Sequence, residues 1–249
     1  MLSAVIITYN EERNIGRCLQ SLQGIADEII VVDSGSSDQT CAIARQYGAK
    51  VIIHDFEGYS AQKNFAAAQA LHDWVLSLDA DEALTEDLKA SVRKTLAAPG
   101  HDAYYIKRLT SFCGSFIRHG GWYPDKQCRL WRKSKGSWQG LIHEGWRLNH
   151  APGTYGVLDG DLLHYSFDTI SDYLKMTDKY TTLSAEDAFR KGKRCSLLKL
   201  IFGPGFKFFG DYVLRLGFLD GYAGFVAYKL AAYGAFVKYS KIRARYRQS

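Results

Sequence analysis

Short β-branched segments alternate with helical patterns through the first hundred residues, and this alternation limits the possible folds more than any other sequence feature. The predicted strands are Ala4–Thr8, Glu28–Asp33, Val51–His54 and Trp74–Leu78. The predicted helices are Asn14–Leu22, Thr40–Tyr47, Ala61–Ala70 and Glu86–Ala97. Repeated β-α units of this kind predict an α/β fold with a mostly parallel sheet flanked by helices.

Three polar segments follow the ends of predicted strands. They are Thr8–Glu11, Asp33–Asp38 and Asp79–Glu82. The carboxyl ends of parallel strands meet at one edge of a sheet, where open α/β sheets bind their ligands. We therefore expect these segments to converge on one site, although they lie far apart in the sequence.

The segment Asp79-Ala80-Asp81-Glu82 directly follows the fourth predicted strand. Three acids within four residues repel one another, and a divalent cation relieves that repulsion while leaving positions for a diphosphate. The alternative interpretation is a solvated turn or a helix start, because acids favour helix N-termini. The position after a strand of the β-α series favours a Mg²⁺ or Mn²⁺ site.

Asp33 ends the second predicted strand and precedes a loop rich in Gly and Ser. A carboxylate in this position can accept hydrogen bonds from a ribose or a base edge, although Ser37 or Asp38 could simply cap the next helix. The first strand runs into Thr8-Tyr9-Asn10-Glu11-Glu12 without a G-x-G-x-x-G fingerprint or a P-loop. An NAD-binding enzyme is therefore excluded.

Beyond residue 100 the pattern changes. Residues 103–165 predict short strands and long loops, Ser171–Phe189 predicts a helix capped by Ser171 or Asp172, and Leu197–Ile242 is helical in pattern. A break is expected at Gly203-Pro204-Gly205, because proline and glycine disfavour helix interiors. The predicted division is a domain over 1–170 and a helical region over 171–249.

The C-terminal region is strongly basic. Thirteen Lys and Arg against two acids follow residue 189, while residues 1–189 carry a net charge of −5. An apolar stripe lies opposite a polar stripe formed by Lys207, Asp211 and Arg215. The apolar stripe is Phe202, Phe206, Phe209, Val213 and Leu216.

This amphipathic, basic pattern predicts docking on an anionic membrane surface. The alternative is that the helices pack on their own domain or on a second subunit. A nucleic-acid-binding tail is the alternative from another class, and the helical spacing of the aromatic residues disfavours it. The oligomeric state is not predicted.

Cellular location is expected to be the cytoplasm. The five cysteines are scattered and form no C-x-x-C pair, which favours reduced thiols over a zinc site or a disulfide framework. The apolar start Ala4–Ile7 is too short for a signal peptide. No uncharged apolar stretch reaches the roughly 18 residues of a spanning helix, so we expect a peripheral protein at the inner face of the cytoplasmic membrane.

Three motifs closely resemble glycosyltransferase family 2. They are V-I-I-T-Y-N-E-E at 5–12, I-I-V-V-D-S-G-S-S-D-Q-T at 29–40 and L-D-A-D-E at 78–82. The resemblance implies a GT-A fold, which is Rossmann-like, and inverting transfer from a nucleotide-activated sugar. It implies a nucleotide-sugar half over 1–100 and an acceptor half over 101–170.

Later segments are similar to bacterial lipopolysaccharide-core β-1,4-glucosyltransferases. They are Tyr123–Asp125, Arg129–Arg132, Ile142–Glu144, His164–Ser166 and Gly217–Gly221. This similarity implies transfer of glucose from UDP-glucose to a heptose of a lipid-linked inner core. The alternative is a family 2 enzyme with another donor or acceptor.

The resemblance also implies roles for individual residues. Asp81 is expected to bind the metal, with Asp79 and His164 as further ligands, although His164 could instead be a buried histidine satisfied by the backbone. Lys63 is expected near the diphosphate, unless it is a solvated helix lysine. The expected nucleotide-sugar contacts are Thr8, Tyr9, Asn10, Glu11, Asp33, Lys63, Asp79, Ala80 and Arg129.

Inverting transfer needs one carboxylate to take the proton from the acceptor hydroxyl. Glu144 is the expected base, because similar enzymes carry an acid at this point, and the alternative is a surface loop glutamate. Glu82 is the reserve candidate, and His143 is expected to orient the loop. Asp81 and Glu144 are thus the predicted catalytic residues.

Overall fold

The computed structural model describes residues 1–140, 145–149 and 153–248. The chain divides into two compact units. Unit 1 comprises Met1–Arg108 and Asp125–Tyr165, and unit 2 comprises Leu109–Pro124 and Ser166–Ser249. The sequence-based division at residue 170 did not anticipate that the segment Leu109–Pro124 groups with the C-terminal helices.

The strands are β1 Leu2–Thr8, β2 Glu28–Asp33, β3 Lys50–Ile53, β4 Trp74–Asp79, β5 Glu82–Leu84, β6 Ala103–Phe112, β7 Ser115–Phe116, β8 Asp125–Arg132, β9 Gly136–Gln139, β10 Gly145–Leu148 and β11 Tyr155–Phe167. The helices are α1 Ile15–Leu22, α2 Thr40–Gln46, α3 Tyr59–Ala68, α4 Glu86–Ala97, α5 Ile170–Arg190, α6 Leu197–Phe209 and α7 Gly221–Gln248. All eight elements predicted for the first hundred residues are confirmed, with ends that differ by two residues at most.

The main sheet has the strand order β3-β2-β1-β4-β8-β6-β11-β5. Strands β3, β2, β1 and β4 are parallel, and β8 joins β4 in antiparallel orientation. The predicted α/β fold, with a mostly parallel sheet flanked by helices, is therefore confirmed, and its parallel strands make up one half of the sheet. The short strands expected over 103–165 form the antiparallel half, together with the separate pair of β9 and β10.

Strand β1 is buried on both faces, as its unbroken apolar run requires. Ala4 and Ile6 belong to a core cluster that includes Leu19 of α1, whereas Val5 belongs to a second cluster with Ala66 of α3. Successive side chains of a strand point to opposite faces of the sheet. One strand thus anchors helices on both faces and fixes its own carboxyl end between them.

Unit 2 packs α5 and α7 around an aromatic core that includes Phe112, Phe167 and Tyr228. Asp220 connects the segment 109–124 to the C-terminal part of unit 2. Its carboxylate accepts hydrogen bonds from the backbone N–H groups of Arg118 at 3.1 Å and His119 at 2.9 Å. Among the described residues, no helix combines the length and apolar character needed to cross a bilayer.

Two local predictions for unit 2 are wrong. Helix α5 is capped by Thr169, whose hydroxyl accepts the N–H of Asp172, so the cap lies before the two residues proposed for it. Helix α6 continues through Gly203-Pro204-Gly205 and departs from α-helical geometry only from Gly210. Because Gly203 has no Cβ to clash with the proline ring, it can adopt helical φ and ψ angles before Pro204.

Candidate active site

The register of the parallel strands brings the three predicted polar segments together. Thr8 pairs with Asp33 across β1 and β2, and Ile7 pairs with Asp79 across β1 and β4. The convergence predicted from the sequence is therefore confirmed. The site lies within unit 1, at the carboxyl edge of the parallel strands.

Hydrogen bonds connect the loop after β1 to the loop after β2. The backbone N–H of Asn10 donates to Ser36 Oγ at 2.7 Å, and Asn10 Oδ1 accepts the N–H of Ser37 at 2.9 Å. The N–H of Glu11 donates to Thr40 Oγ1 at 2.7 Å. Asn10 has a φ of 53°, a left-handed conformation that its short polar side chain tolerates. The two loops thus form one preorganised rim, from which Tyr9 extends into solvent.

Asp33 is fully buried beneath this rim. Its Oδ2 accepts the N–H groups of Gly35 at 2.9 Å and Ser36 at 2.7 Å, and its Oδ1 accepts the Ser36 hydroxyl. A carboxylate that accepts several local hydrogen bonds fixes the backbone around it. Asp33 therefore shapes the loop between β2 and α2.

Asp79, whose side chain is 27% exposed, lies beside the buried charges of Lys63 and Arg129. Nη2 of Arg129 lies 2.6 Å from Asp79 Oδ2 and 2.6 Å from Glu82 Oε1. Nζ of Lys63 lies 3.1 Å from Asp79 Oδ1, which makes a second ion pair to this carboxylate. The Lys63 side chain is only 5% exposed, which contradicts the solvated-lysine interpretation.

Arg108 and Asp125 extend the network, and sequence reasoning missed both. Nη1 of Arg108 lies 3.6 Å from Glu82 Oε1, and its Nη2 lies 2.6 Å from Asp125 Oδ2. The two residues face each other in the antiparallel register of β6 and β8. Asp125 had appeared only within the similar segment Tyr123–Asp125, and no strand bounds were predicted for residues 103–165, so the sequence carried no information on this register.

Electrostatics keeps Asp79 and Arg129 ionised. Burial alone would raise the pKa of Asp79, but the neighbouring Arg129 and Lys63 outweigh it and hold that pKa well below its usual range. Burial would likewise lower the pKa of Arg129, but Asp79 and Glu82 raise it above its usual value. Glu82 is completely buried against two arginines, so it is not placed to take a proton from an acceptor. The structure thus argues against the reserve base candidate.

Asp81 faces away from these arginine contacts and meets His164. Its Oδ2 lies 3.2 Å from His164 Nε2, and both side chains are partly exposed. The antiparallel pairing of β5 with β11 sets this contact, because it places His164 opposite Glu82, and the N–H of Tyr165 donates to the Asp81 carbonyl at 2.9 Å. Two residues 83 positions apart are thereby brought together.

The Asp81–His164 pair fits a divalent ion. Neighbouring ligands of an octahedral ion at about 2.1 Å lie about 3 Å apart, close to the separation of these two donor atoms. Within the described part of the chain, no group of three or more His, Cys, Asp or Glu side chains is arranged around a metal position. Asp79, engaged by Arg129 and Lys63, therefore stays a predicted ligand only.

Several polar atoms at the site are buried without a hydrogen bond among the described residues. They are Thr8 Oγ1 and the Nε and Nη1 atoms of Arg129. An unsatisfied buried polar group costs about 1–3 kcal/mol, so atoms of a ligand or a water would stabilise these groups. The Ala80 side chain packs into the core. Only its backbone would therefore be available to contact a nucleotide-sugar donor.

Trp138 on β9 connects α3 to the segment expected to carry the base. Its indole ring lies 4.5 Å from Lys63 Nζ, and its backbone exchanges hydrogen bonds of 2.8 and 2.9 Å with the Asn64 side chain. Ser60 donates to the Gly140 carbonyl at 2.7 Å. His143 and the predicted base Glu144 lie outside the described residues.

Comparison with known proteins identifies relatives across the whole chain. The family model described as glycosyl transferase family 2 matches residues 3–150. An uncharacterized glycosyltransferase of Rickettsia typhi is 34% identical, with 97% of this chain and 86% of the relative covered. A lipopolysaccharide core biosynthesis glycosyltransferase of Rhizobium meliloti is 32% identical, with 98% of this chain and 93% of the relative covered.

Solved structures show weaker similarity. Glucosyl-3-phosphoglycerate synthase from Mycobacterium tuberculosis, crystallised with Mn²⁺ and UDP-glucose, is 26% identical at a TM-score of 0.38, with 45% of this chain and 44% of that chain covered. Staphylococcus aureus TarS is 16% identical at a TM-score of 0.47, with 99% and 91% covered. The family model and the full-length sequence relatives carry the assignment: this chain belongs to glycosyltransferase family 2.

Proposed function

We propose that the protein is an inverting, metal-dependent hexosyltransferase that moves glucose from UDP-glucose to a heptose of the lipopolysaccharide inner core. The contact between Asp81 and His164, at the edge where β1, β2 and β4 end, carries the proposal. The lipopolysaccharide core relative, which covers nearly the whole chain, supports the acceptor class. The acceptor would be lipid-borne, at the inner face of the cytoplasmic membrane.

Donor binding would use the ionised edge of the sheet. Asp81 and His164 would hold Mg²⁺ or Mn²⁺, which when bound offsets the charge of the pyrophosphate. Asp79, kept ionised by Arg129 and Lys63, would accept hydrogen bonds from ribose hydroxyls. The Thr8 hydroxyl and the unsatisfied nitrogens of Arg129 would gain partners from the donor.

Sugar transfer would then need one base. Glu144 would take the proton from the acceptor hydroxyl while that oxygen forms a bond to the anomeric carbon. The bond from the anomeric carbon to the diphosphate breaks at the same time, and the diphosphate leaves with the electron pair. Attack opposite the leaving group inverts the anomeric configuration.

The Glu144→Gln variant tests the base. We expect kcat to fall by about 10²- to 10⁴-fold, because the amide cannot accept the proton, while the dissociation constant for UDP-glucose stays unchanged. Single-turnover transfer and calorimetry measure the two quantities. Glu86→Gln, at the fully exposed start of α4, is the control. A normal rate for Glu144→Gln would remove this residue from the mechanism.

The His164→Ala variant tests the metal site. We expect the Mn²⁺ concentration for half-maximal activity to rise about 10- to 100-fold, with partial recovery at saturating Mn²⁺, because one donor is lost. His72→Ala, just before the opposite end of β4, is the matched control. Unchanged metal dependence in His164→Ala would show that the imidazole does not bind the ion.

A donor panel tests the overall function. The protein is incubated with UDP-, GDP- and dTDP-sugars plus Mn²⁺, and donor hydrolysis and transfer to a heptose acceptor are measured with and without EDTA. We expect EDTA-sensitive turnover of UDP-glucose. Turnover of another donor would support the alternative of a different family 2 specificity, and no binding of any donor would contradict the proposal.

A further inference from the structure

Helix α6 presents large apolar side chains to solvent. Leu197, Leu198, Ile201, Phe202, Phe206 and Phe209 are all exposed, with Leu198 at 70% and Phe206 at 74%. None of the helix residues is buried. Soluble proteins rarely expose contiguous apolar surface of this kind unless it binds something.

The exposed side chains form one face of the helix. At about 100° per residue, these six positions span about half of the circumference. Leu200 lies outside this arc and packs against the cluster that includes Ile242 of α7. Gly203 lies on the same covered side, where an added Cβ would come within 3.0 Å of the Tyr239 ring of α7. Phe208, near one edge of the arc, is half-buried against the cluster that includes Tyr228 of α7. One face of the helix is therefore already covered by α7. The exposed arc is a second apolar surface, which we call the α6 face.

The charge around the α6 face indicates what covers it. Residues 190–215 contain seven Lys and Arg and one acid, Asp211. Asp211 is buried and pairs with Lys207 at 2.8 Å and Arg215 at 3.1 Å. A second copy packed symmetrically on this face would bring two segments of the same positive charge together, which is unfavourable. An anionic surface is complementary to it.

The basic end of α7 is a weaker candidate for the same contact, because three of its cations already have partners within unit 2. Lys241 Nζ lies 2.6 Å from Asp178 Oδ1, Arg245 pairs with Glu186 at 2.9 Å, and Arg243 donates to the Cys195 carbonyl at 2.8 Å. The sequence had assigned membrane contact to this whole tail. The structure separates an exposed apolar element from a basic end that stabilises the helix packing.

We propose that the α6 face inserts into the boundary between headgroups and acyl chains of an anionic bilayer. Its 13 residues give the helix a length of about 20 Å, less than the roughly 30 Å hydrocarbon core. The helix therefore lies in the membrane plane, with Lys199 beside the arc at headgroup level. This inference rests on the proposed function, which includes a lipid-borne acceptor. It identifies α6 as the element that contacts the lipid.

Vesicle binding by the full chain tests the inference. The variant Leu198→Glu/Phe206→Glu places two charges on the α6 face, and Leu71→Glu changes an equally exposed leucine, 78% accessible, in unit 1. We expect the double variant to lose at least about tenfold in affinity for phosphatidylglycerol-containing vesicles, since charged groups are costly to insert, while Leu71→Glu binds like the parent. The parent should bind pure phosphatidylcholine vesicles more weakly.

Additional measurements separate the possible outcomes. Circular dichroism and UDP-glucose binding without vesicles should be the same for all variants. Vesicle affinity of the double variant equal to that of the parent would overturn the inference. A parent protein that dimerises in solution and becomes monomeric in the double variant would also overturn it, in favour of a second copy. Vesicle binding without donor binding would instead contradict the proposed function alone.

Discussion

Replacing Asp81 with alanine is expected to lower kcat/KM for sugar transfer by about 10³-fold or more, because charge stabilisation at the leaving group contributes several kcal/mol to transfer. The Asp81 side chain meets His164 at 3.2 Å, and it supplies the carboxylate of the proposed metal pair. The backbone carbonyl of residue 81 still accepts the N–H of Tyr165 in the variant. The fold at this point should therefore be retained.

Steady-state kinetics at increasing Mn²⁺ concentration measures this effect. Asp159→Ala, an exposed aspartate on the same strand as His164, is the matched control and should keep the parent rate. The unfolding midpoints of both variants should lie within a few degrees of the parent. An Asp81→Ala protein that retains full, EDTA-sensitive activity would show that the metal is held elsewhere.

Replacing Arg129 with alanine is expected to cost about 3–5 kcal/mol of unfolding free energy. The guanidinium is almost fully buried and bridges Asp79 and Glu82, each at 2.6 Å. Its removal leaves the buried Glu82 with a hydrogen bond from the backbone N–H of Asp79 at 2.9 Å and the longer contact to Arg108 at 3.6 Å. The weakly compensated carboxylate charge accounts for most of the loss, which equilibrium urea unfolding measures.

Arg132→Ala provides the contrast three residues further along β8. Its pair with Asp73, at 3.3 Å, lies between half-exposed side chains, so its loss should cost at most about 1 kcal/mol. The double variant Arg129→Ala/Glu82→Gln should recover part of the lost stability, because it removes a buried charge together with its partner. Equal unfolding free energies for Arg129→Ala and Arg132→Ala would contradict the structural role of the buried network.

Local periodicity explains why the parallel half of the fold could be predicted. Strand β1 is a short unbroken apolar run, helix α1 has apolar residues at helical spacing, and the polar residues Thr8, Asp33 and Asp79 mark where strands end. Parallel strands joined by helical crossovers all place those ends at one edge. The location of the candidate site therefore followed from the order of elements alone.

The exposure of charged and apolar side chains could not be predicted in the same way. In the sequence, Lys63 is either a residue near a diphosphate or a solvated helix lysine, and only the structure shows that Trp138 and Asp79 cover it. The stripe that includes Phe206 either docks on a membrane or packs on its own domain or a second subunit, and only the structure shows that α7 covers a different face of this helix. Burial depends on which element packs nearby, and an isolated helical pattern does not contain that information.

The sequence by itself determined the β-α order, the sheet edge that carries the acids and the resemblance to family 2. The signal for each of these lies within short segments of neighbouring residues. Only the tertiary structure decided that Asp79 is held by Arg129 and Lys63 whereas Asp81 meets His164. Those partners come from β8, α3 and β11, and the register between distant segments is fixed by the packing of the whole sheet.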